Sequence, residues 1–345
     1  MNSLYGKTLD ELIEICNAEA LPKFTAKQIA DWLYSKQVSD ISKMTNLSVN
    51  ARDRLIKRYI IGAEEPVQCM ESKDGTLKYL FRFAEEAFAE AVLIFDKART
   101  TLCISSQAGC RMNCGFCATG QNGFNRNLGS GEILSMFRAV KENYDITNIV
   151  YMGMGEPLDN WEEVLKSIEI LTCEWGYGIS PRRITVSTCG ILPKMKSLLD
   201  NTQCNIAISL HNADSNLRSR IMPVEKAYKI SDIICLLRKY NWHGQRRLTF
   251  EYIVFDGLND GTKDVSNLYQ LLRGIKCRIN LIKYHKTEAK HSFKASKADS
   301  MIRFQNMLNA KGLMTKIRSS KGEDIAAACG TLAAKKENIT NFASR

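Results

Sequence analysis

The sequence predicts an α/β protein in which a parallel sheet forms a barrel or partial barrel, preceded by a small region of helices and a β-hairpin. From about residue 99 to 330, apolar β-branched runs alternate with amphipathic segments, as expected for parallel strands with helices packed outside them. Residues 1–98 instead show helix-like periodicity followed by strict alternation. The chain of 345 residues is long enough for one large domain and a smaller one.

The composition indicates a globular protein of a reducing compartment. Hydrophobic residues make up 45% of the chain, and its net charge of +11 favours nucleic acid or an anionic membrane surface as a partner. The 12 cysteines form no paired secretory framework. No apolar run approaches the roughly 20 residues of a membrane span, and acidic residues interrupt the first apolar pattern, so we expect neither a membrane segment nor a targeting peptide. The expected location is the cytoplasm.

Three helices are predicted at the start of the chain. Apolar residues recur at intervals of three and four in residues 8–16 and 24–37, and Thr25 with Gln28 fits a capping box. A third helix over residues 48–60 is basic on its polar face. Such a stripe fits either a solvated helix face or an RNA contact.

A β-hairpin is predicted to follow these helices. Asp74 and Gly75 stand between two alternating runs, and this dipeptide is a strong hairpin signal. A further strand over residues 89–95 carries Glu90. By itself, Glu90 is an ordinary surface glutamate.

Strands and helices alternate in the rest of the chain. The predicted helices include residues 131–143, 160–175, 230–242 and 299–312. The predicted strands are residues 101–106, 148–155, 183–190, 205–211, 247–256, 277–285 and 313–319.

Polar residues cluster at the carboxyl ends of these strands, the face that holds the active site in parallel barrels. They include Glu156, Ser187, Thr188, Ser209 and His211, with Asn280 inside the sixth strand. Glu156, in the tight segment GMGEP, suits an ammonium group. By itself, His211 is more often a hydrogen-bonded core histidine than a catalyst.

A cysteine loop (residues 109–117) follows the first of these strands. Cys110, Cys114 and Cys117 have the spacing Cys-x3-Cys-x2-Cys, which can ligate one soft metal centre. A cubane cluster takes four thiolates, so three would leave one iron open to a substrate. The alternative is a structural zinc knuckle with Cys103 as the fourth ligand.

The cysteine loop, with an aromatic residue just before its last cysteine, resembles the radical S-adenosylmethionine (SAM) superfamily. The resemblance implies a 4Fe-4S cluster whose open iron binds SAM. An electron delivered to SAM then yields a 5′-deoxyadenosyl radical.

A lysine-rich segment covers residues 283–297. Its lysines are interleaved with aromatic side chains, which suits a phosphate backbone with stacked bases; a solvated loop is the alternative. The residues are Lys283, Lys286, Lys290, Lys294 and Lys297, with His285, His291 and Phe293.

The whole chain resembles the RlmN and Cfr family of radical SAM RNA methyltransferases. The resemblance rests on FTAKQIADWLY, TLCISSQAGCRMNCGFCATG, GFNRNL, MGMGEP, SPRRITVST, ISLH, MPV, INLI and GEDIAAACG. It implies an N-terminal RNA-binding region (1–98), a (β/α)6 partial barrel (99–330) and a C-terminal tail (331–345). RlmN enzymes methylate C2 of an adenosine in the peptidyl-transferase centre of 23S rRNA and of the adenosine 3′ of some tRNA anticodons. Cfr enzymes methylate C8 of the same ribosomal adenosine.

The resemblance also implies roles for single residues. Cys329 would take a methyl group from one SAM, and a second SAM would supply the radical that activates this methyl group, so that two are used per turnover. Glu90 would be the general base that removes the C2 proton. Cys103 would resolve the adduct by forming a transient disulfide with Cys329. Cys110, Cys114 and Cys117 match the cluster ligands.

The same resemblance implies the cofactor site and the partners. The positions that match SAM contacts are Gly155, Glu156, Ser187, Ser209, Leu210, His211 and Asn280. We expect 23S rRNA and tRNA as substrates, an electron donor such as flavodoxin or ferredoxin, and a monomer.

Three positions bear on the choice within the family. Pro157 is typical of RlmN and favours C2 over C8. Cys189 stands where the family usually has serine, and the segment after INLI lacks the usual proline. The rivals are a C8 methyltransferase like Cfr and a zinc-containing RNA-binding protein without activity.

Overall fold

A small helical region forms the start of the chain in the computed structural model, which describes residues 1–286 and 293–333. Strands β1 (Asn2–Ser3) and β2 (Tyr59–Ile60) pair in parallel and bracket this region. Its helices are α1 (Leu9–Ala18), α2 (Thr25–Ala30), which continues as a π-helical turn, and α3 (Val49–Arg58). All three predicted helices are confirmed.

The predicted capping box at Thr25 is wrong. Helix α2 begins after Phe24 without a side-chain cap, because the preceding turn supplies the missing acceptors. The Thr25 N–H, for example, donates to the Pro22 carbonyl at 2.9 Å. The capping box belongs to α1, where Thr8 and Glu11 bond each other's backbone N–H groups.

The predicted hairpin begins the main sheet. Strands β3 (Pro66–Glu71), β4 (Leu77–Phe83) and β5 (Ala87–Asp96) are antiparallel. Strand β5 then pairs with β6 (Arg99–Cys103). The sheet therefore continues through the boundary placed at residue 98, and the division into domains there stays a prediction.

Seven parallel strands complete this sheet, and they are the seven strands that the sequence predicts. A separate antiparallel pair, β7 (Gln107–Gly109) and β8 (Phe124–Asn127), follows β6. The remaining parallel strands are β9 (Asn148–Tyr151), β10 (Ile184–Thr188), β11 (Asn205–Ser209), β12 (Leu248–Val254), β13 (Arg278–Lys283) and β14 (Thr315–Arg318). In space the order is β14-β13-β12-β11-β10-β9-β6-β5-β4-β3.

Helices connect the parallel strands, so the predicted α/β partial barrel is confirmed. Their apolar faces are buried. Leu237, the last residue of one of these helices, is for example fully inaccessible to solvent. They are α4 (Ala118–Gln121), α5 (Ser130–Lys141), α6 (Trp161–Thr172), α7 (Leu192–Asn201), α8 (Ser215–Ile221), α9 (Ile230–Leu237), α10 (Thr262–Leu272) and α11 (Ala298–Ala310). Over residues 1–286 and 293–333, no helix is long and apolar enough to cross a membrane.

Part of two predictions lies outside the described residues. Lys290 and His291 of the lysine-rich segment belong to the undescribed residues 287–292, and the predicted tail is described only up to residue 333.

Candidate active site

Five of the residues predicted for the site, Glu90, Cys103, Ser187, Ser209 and Asn280, lie on one face of the sheet. Residues paired across neighbouring strands point to the same side, and so does every second residue along a strand. The pairing register from β4 to β14 places the following side chains on a single face: Lys78, Glu90, Cys103, Ser187, Ser209, Glu251, Asn280 and Arg318. Glu90 on β5 and Cys103 on β6 therefore lie on the same face as the residues predicted to bind SAM.

The cysteine loop folds back on the start of β8. Gly109 has φ +82°, and a Cβ atom there would lie 2.2 Å from the Gly123 carbonyl oxygen. That carbonyl accepts a hydrogen bond from the Cys110 N–H at 2.9 Å. A glycine is therefore required where the chain enters the loop.

The three loop thiols lie close together. Burial raises the pKa of Cys114 well above its usual value, and the neighbouring Cys117 and Cys110 thiols raise it further. Within the described ranges, no group of three or more His, Cys, Asp or Glu is arranged to hold a single metal ion. A cubane cluster that takes three thiolates and keeps one iron open suits three thiols at this spacing.

Cys103 is a buried thiol that interacts with groups outside the cysteine loop. The charges that act on it come from Cys329 and Arg318 rather than from the loop thiols. The pKa of Cys103 is raised to about 12, chiefly by burial. The nearby Cys329 thiol also raises it, and the charge of Arg318 lowers it. Cys103 and Cys329 are therefore close enough to act on each other electrostatically.

A C-terminal strap (residues 322–333) carries Cys329 and binds to the cysteine loop region. The Ala118 N–H donates to the Gly330 carbonyl at 2.8 Å, and the Thr119 hydroxyl donates to the Leu332 carbonyl at 2.7 Å. Cys329 itself is exposed. Its thiol is thus held beside the loop and open to a substrate.

The other end of the strap is fixed to the hairpin tip (residues 72–76). The Gly322 N–H donates to the Asp74 carboxylate at 3.1 Å. In return, Asp324 accepts hydrogen bonds from the Ser72 hydroxyl and, at 3.1 Å, from the Lys73 N–H. These reciprocal contacts were not predicted, because they join segments about 250 residues apart.

Glu156 is buried with most of its hydrogen-bonding capacity used. Its carboxylate accepts from the Thr188 hydroxyl at 2.6 Å, the Cys189 N–H at 2.8 Å and the Leu158 N–H at 3.0 Å. Burial raises the pKa of Glu156, while these hydrogen bonds lower it. A carboxylate has about four acceptor positions, so the Glu156 carboxylate can still accept a hydrogen bond from an ammonium group.

Gln107 supports the predicted Gly155 and Glu156 and was missed in the sequence. Gly155 has φ +98°, and a Cβ atom there would lie 2.6 Å from the Gln107 Cβ. The side-chain Oε1 of Gln107 accepts from the Glu156 N–H at 2.9 Å, and the side-chain Nε2 donates to the Asp159 carboxylate at 2.8 Å. Its only sequence signal was a polar residue at the entrance to the cysteine loop.

His211 is a buried neutral histidine at a bend of the chain. It has φ +53°, and its Nδ1 accepts from the Ile253 N–H at 3.0 Å. Burial, together with the charge of Arg218, lowers the pKa of His211 to about 3. Phe116 of the cysteine loop packs edge-on against its ring at 4.7 Å. His211 therefore links the loop to β11.

Arg218 holds the strand ends in place and was also missed. Its side chain is completely inaccessible and pairs with the equally buried Glu225. The guanidinium donates to the carbonyls of Cys189, Ser209 and Leu210 at 2.9 to 3.0 Å. Buried Leu210 thus contributes through its backbone.

Glu251 lies between two predicted SAM residues. It stands opposite Ser209 on β11 and Asn280 on β13, and the Asn280 amide donates to it at 2.7 Å. Its second oxygen is buried without a hydrogen bond and lies 3.6 Å from Arg318. Ser187 is half-buried near the end of β10. The site face is therefore polar along β10 to β14.

The described part of the lysine-rich segment is anchored to the site. Phe293 packs on Phe255 at 4.6 Å between ring centroids, and the His285 ring bonds the Ser320 hydroxyl at 2.7 Å. Lys283 pairs with Glu323 of the strap at 3.5 Å. RNA binding by this segment stays a prediction.

Family models match two parts of the chain. The model for the radical SAM superfamily matches residues 104–271, and the model for the ribosomal RNA large subunit methyltransferase N-terminal domain matches residues 2–61.

Relatives match almost the whole chain. A probable dual-specificity RNA methyltransferase RlmN from Bacteroides thetaiotaomicron is 48% identical over 98% of this chain and 98% of its own length. The dual-specificity RNA methyltransferase RlmN of Campylobacter hominis is 41% identical, over 97% and 98%. The crystal structure of a radical SAM methyltransferase from Sphaerobacter thermophilus superposes with a TM-score of 0.89 at 39% identity, covering 97% of this chain and 100% of that one.

Proposed function

This chain belongs to the RlmN family of dual-specificity radical SAM RNA methyltransferases, and we propose that it methylates C2 of adenosine in two RNAs. The first target is an adenosine in the peptidyl-transferase centre of 23S rRNA. The second is the adenosine directly 3′ of the anticodon in some tRNAs. The observation that supports this most directly is the position of Cys329. Its strap is hydrogen-bonded to Ala118 and Thr119, just after the cysteine loop, and to Glu90, and Cys329 acts electrostatically on Cys103.

The chemistry of C2 explains why such a site is needed. C2 lies between two ring nitrogens and is electron-poor, so it cannot attack a methyl donor as an amine does. A carbon radical can add where a nucleophile is lacking. The site must therefore hold a methyl group close to the adenine ring and activate it there.

The radical SAM family implies SAM and a 4Fe-4S cluster, and we propose that both bind in this site. We assign the three loop cysteines, Cys110, Cys114 and Cys117, as the cluster ligands, a set that leaves one iron for SAM. When bound, the cluster and SAM supply the electron and the radical for hydrogen abstraction. Residues at the strand ends then hold SAM: Gly155, Glu156, Ser187, Ser209, Leu210, His211 and Asn280.

Cys329 carries the methyl group in the proposed reaction. Its sulfur attacks the methyl carbon of one SAM, the bond from that carbon to the SAM sulfur breaks, and the SAM sulfur leaves as a thioether. A hydrogen atom is then removed from this methyl group at the expense of a second SAM. The resulting methylene carbon bonds to C2 of the adenine.

Glu90 and Cys103 complete the proposed reaction. Glu90 accepts the C2 proton, which requires an ionised carboxylate within hydrogen-bond reach. The adduct also gives up its unpaired electron, which the oxidised cluster would accept. The Cys103 thiolate then bonds to the Cys329 sulfur as the bond from that sulfur to carbon breaks; its electron pair stays on the methylene carbon, which takes up a proton and becomes the methyl group of the released base. A reductant reopens the disulfide by ordinary thiol exchange before the next turnover.

The proposed partners follow from the same assignment. The substrates are polyanions, and the net charge of +11 favours them. The electron comes from a donor of the flavodoxin or ferredoxin class. We propose that the protein acts as a monomer in the cytoplasm, where the RNA substrates and a reducing environment occur together.

Substitution of Cys329 tests this proposal. We expect Cys329→Ala to methylate no RNA, because the methyl carrier is gone, and to keep its iron and the brown absorbance of the cluster. Cys235→Ala, at an exposed cysteine on α9, should retain wild-type activity. Full activity of Cys329→Ala would contradict the covalent route. A colourless protein that contains zinc would contradict the cluster.

A further inference from the structure

Lys78 and Glu90 form a buried ion pair on the site face. The Lys78 Nζ lies 3.1 Å from the Glu90 Oε1, and the two side chains are only 10% and 4% exposed. They are diagonal neighbours, because Lys78 stands opposite Val92 and Glu90 opposite Leu80. A buried ion pair adds little to stability compared with apolar side chains of the same size. Its presence in a catalytic face therefore calls for a chemical reason.

The second oxygen of Glu90 is held by the strap. The Ala333 N–H donates to the Glu90 Oε2 at 2.9 Å, and Ala333 lies four residues beyond Cys329. The carboxylate is thus fixed on one side by β4 and on the other by the segment that carries the methyl group. Its direction relative to Cys329 is set by these two contacts.

The groups that act on Glu90 come from two elements, β4 and the strap. Burial raises the pKa of Glu90, and the charge and hydrogen bond of Lys78 lower it, as does the Ala333 N–H. The other ionisable groups of this face act elsewhere: Arg318 on β14 acts on Cys103 and Cys329. Lys78 is therefore the cation that opposes the effect of burial on Glu90.

We propose that Lys78 is a positioning residue that keeps the Glu90 carboxylate ionised and directed at C2 of the bound adenine. This inference rests on the proposed function, in which the adduct between Cys329 and C2 loses the C2 proton. In that step the C2–H bond breaks, the proton moves to a Glu90 oxygen, and the electron pair stays on the adenine ring. Lys78 keeps its own proton throughout.

The pH dependence of single-turnover methylation by the reconstituted holoenzyme, with a 23S rRNA fragment, tests this inference. In Lys78→Met we expect the rising limb of the profile to shift upward by about one pH unit or more. The covalent adduct of protein and RNA should also accumulate on denaturing gels, because it loses its proton slowly. Lys78→Arg keeps the charge and should restore the wild-type profile. Lys263→Met, at an exposed position of α10, is the matched control and should match the wild type.

Methyl transfer from SAM to Cys329, read by mass spectrometry, separates positioning from general damage. This step does not use Glu90, so it should proceed in Lys78→Met within about twofold of the wild-type rate. A Lys78→Met enzyme with an unshifted profile and no adduct overturns the inference. Loss of methyl transfer to Cys329 overturns it as well, because the damage would then be general.

Glu90→Gln separates the failure of this inference from a failure of the proposed function. If Glu90→Gln methylates RNA fully, the role given to Glu90 is wrong. If Glu90→Gln accumulates the adduct and Lys78→Met does not, only the role of Lys78 is wrong. Accumulation in both variants supports both assignments.

Discussion

At the scale of single residues, the site depends on side chains whose partners are distant in the sequence. Gln107 contacts Glu156, 49 residues away, and Arg218 reaches back 29 residues to Cys189. The sequence around Gln107 or Arg218 shows no pattern that predicts these contacts, because a single polar residue in a strand or helix is usually an exposed surface residue. Family resemblance supplied the predicted roles of Glu90, Cys103 and Cys329, but not the charged groups that surround them.

Gly155 gives a prediction at this scale. Gly155→Ala should lower both thermal stability and SAM binding, because its Cβ would lie 2.6 Å from Gln107 and displace the backbone that leads into Glu156. The matched control is Gly312→Ala, which has φ +81° but nothing within 4 Å. It should lose only the roughly 1–2 kcal/mol of an alanine at positive φ.

Calorimetry with SAM and thermal unfolding of both holoenzymes measure these effects. Equal losses in the two variants would contradict a close approach at Gly155, because the positive φ alone would then account for both.

At the scale of elements, periodicity predicted the helices and strands well, since each has one buried face. The ends were less predictable: the helix predicted over residues 230–242 stops at Leu237, and the capping box lies at Thr8 rather than Thr25. The contact between the hairpin tip and the strap was beyond prediction. It joins Asp74 and Asp324 to backbone donors that no local pattern reveals.

The hairpin tip gives a prediction of pH dependence. Burial raises the pKa of Asp74, but hydrogen bonds from Thr76, the Gly322 N–H and Ser72 outweigh it and lower the value from 3.8 to about 2. A lowered pKa means that the contact stabilises the folded state above about pH 3.8 and is lost as the pH falls toward about 2. Asp74→Asn should therefore be less stable than the wild type at pH 5, and the difference should vanish near pH 2.

Urea unfolding of the iron-free protein from pH 5 to 2 checks this prediction. Asp53→Asn, on the exposed side of α3, should show no such convergence. A stability difference for Asp74→Asn that stays constant with pH would contradict the contact between Asp74 and the strap.

At the scale of the whole molecule, one sheet carries both the hairpin residues and the barrel residues of the site. The antiparallel strands β3 to β5 extend the parallel sheet, so Lys78 and Glu90 share a face with Cys103, Ser209 and Asn280. The sequence predicted the strands and the parallel class. Which strands pair at the edge depends on long-range contacts, so this continuity could not be predicted.

The central claim is that this shared face methylates C2 of adenosine. The most direct measurement is anaerobic incubation of the reconstituted enzyme with SAM, a reductant and a 23S rRNA fragment, followed by nucleoside mass spectrometry. We predict a product that co-elutes with 2-methyladenosine in the wild type and is absent in Cys329→Ala. A product that co-elutes with 8-methyladenosine, or no methylated adenosine from an enzyme with an intact cluster, would contradict the claim.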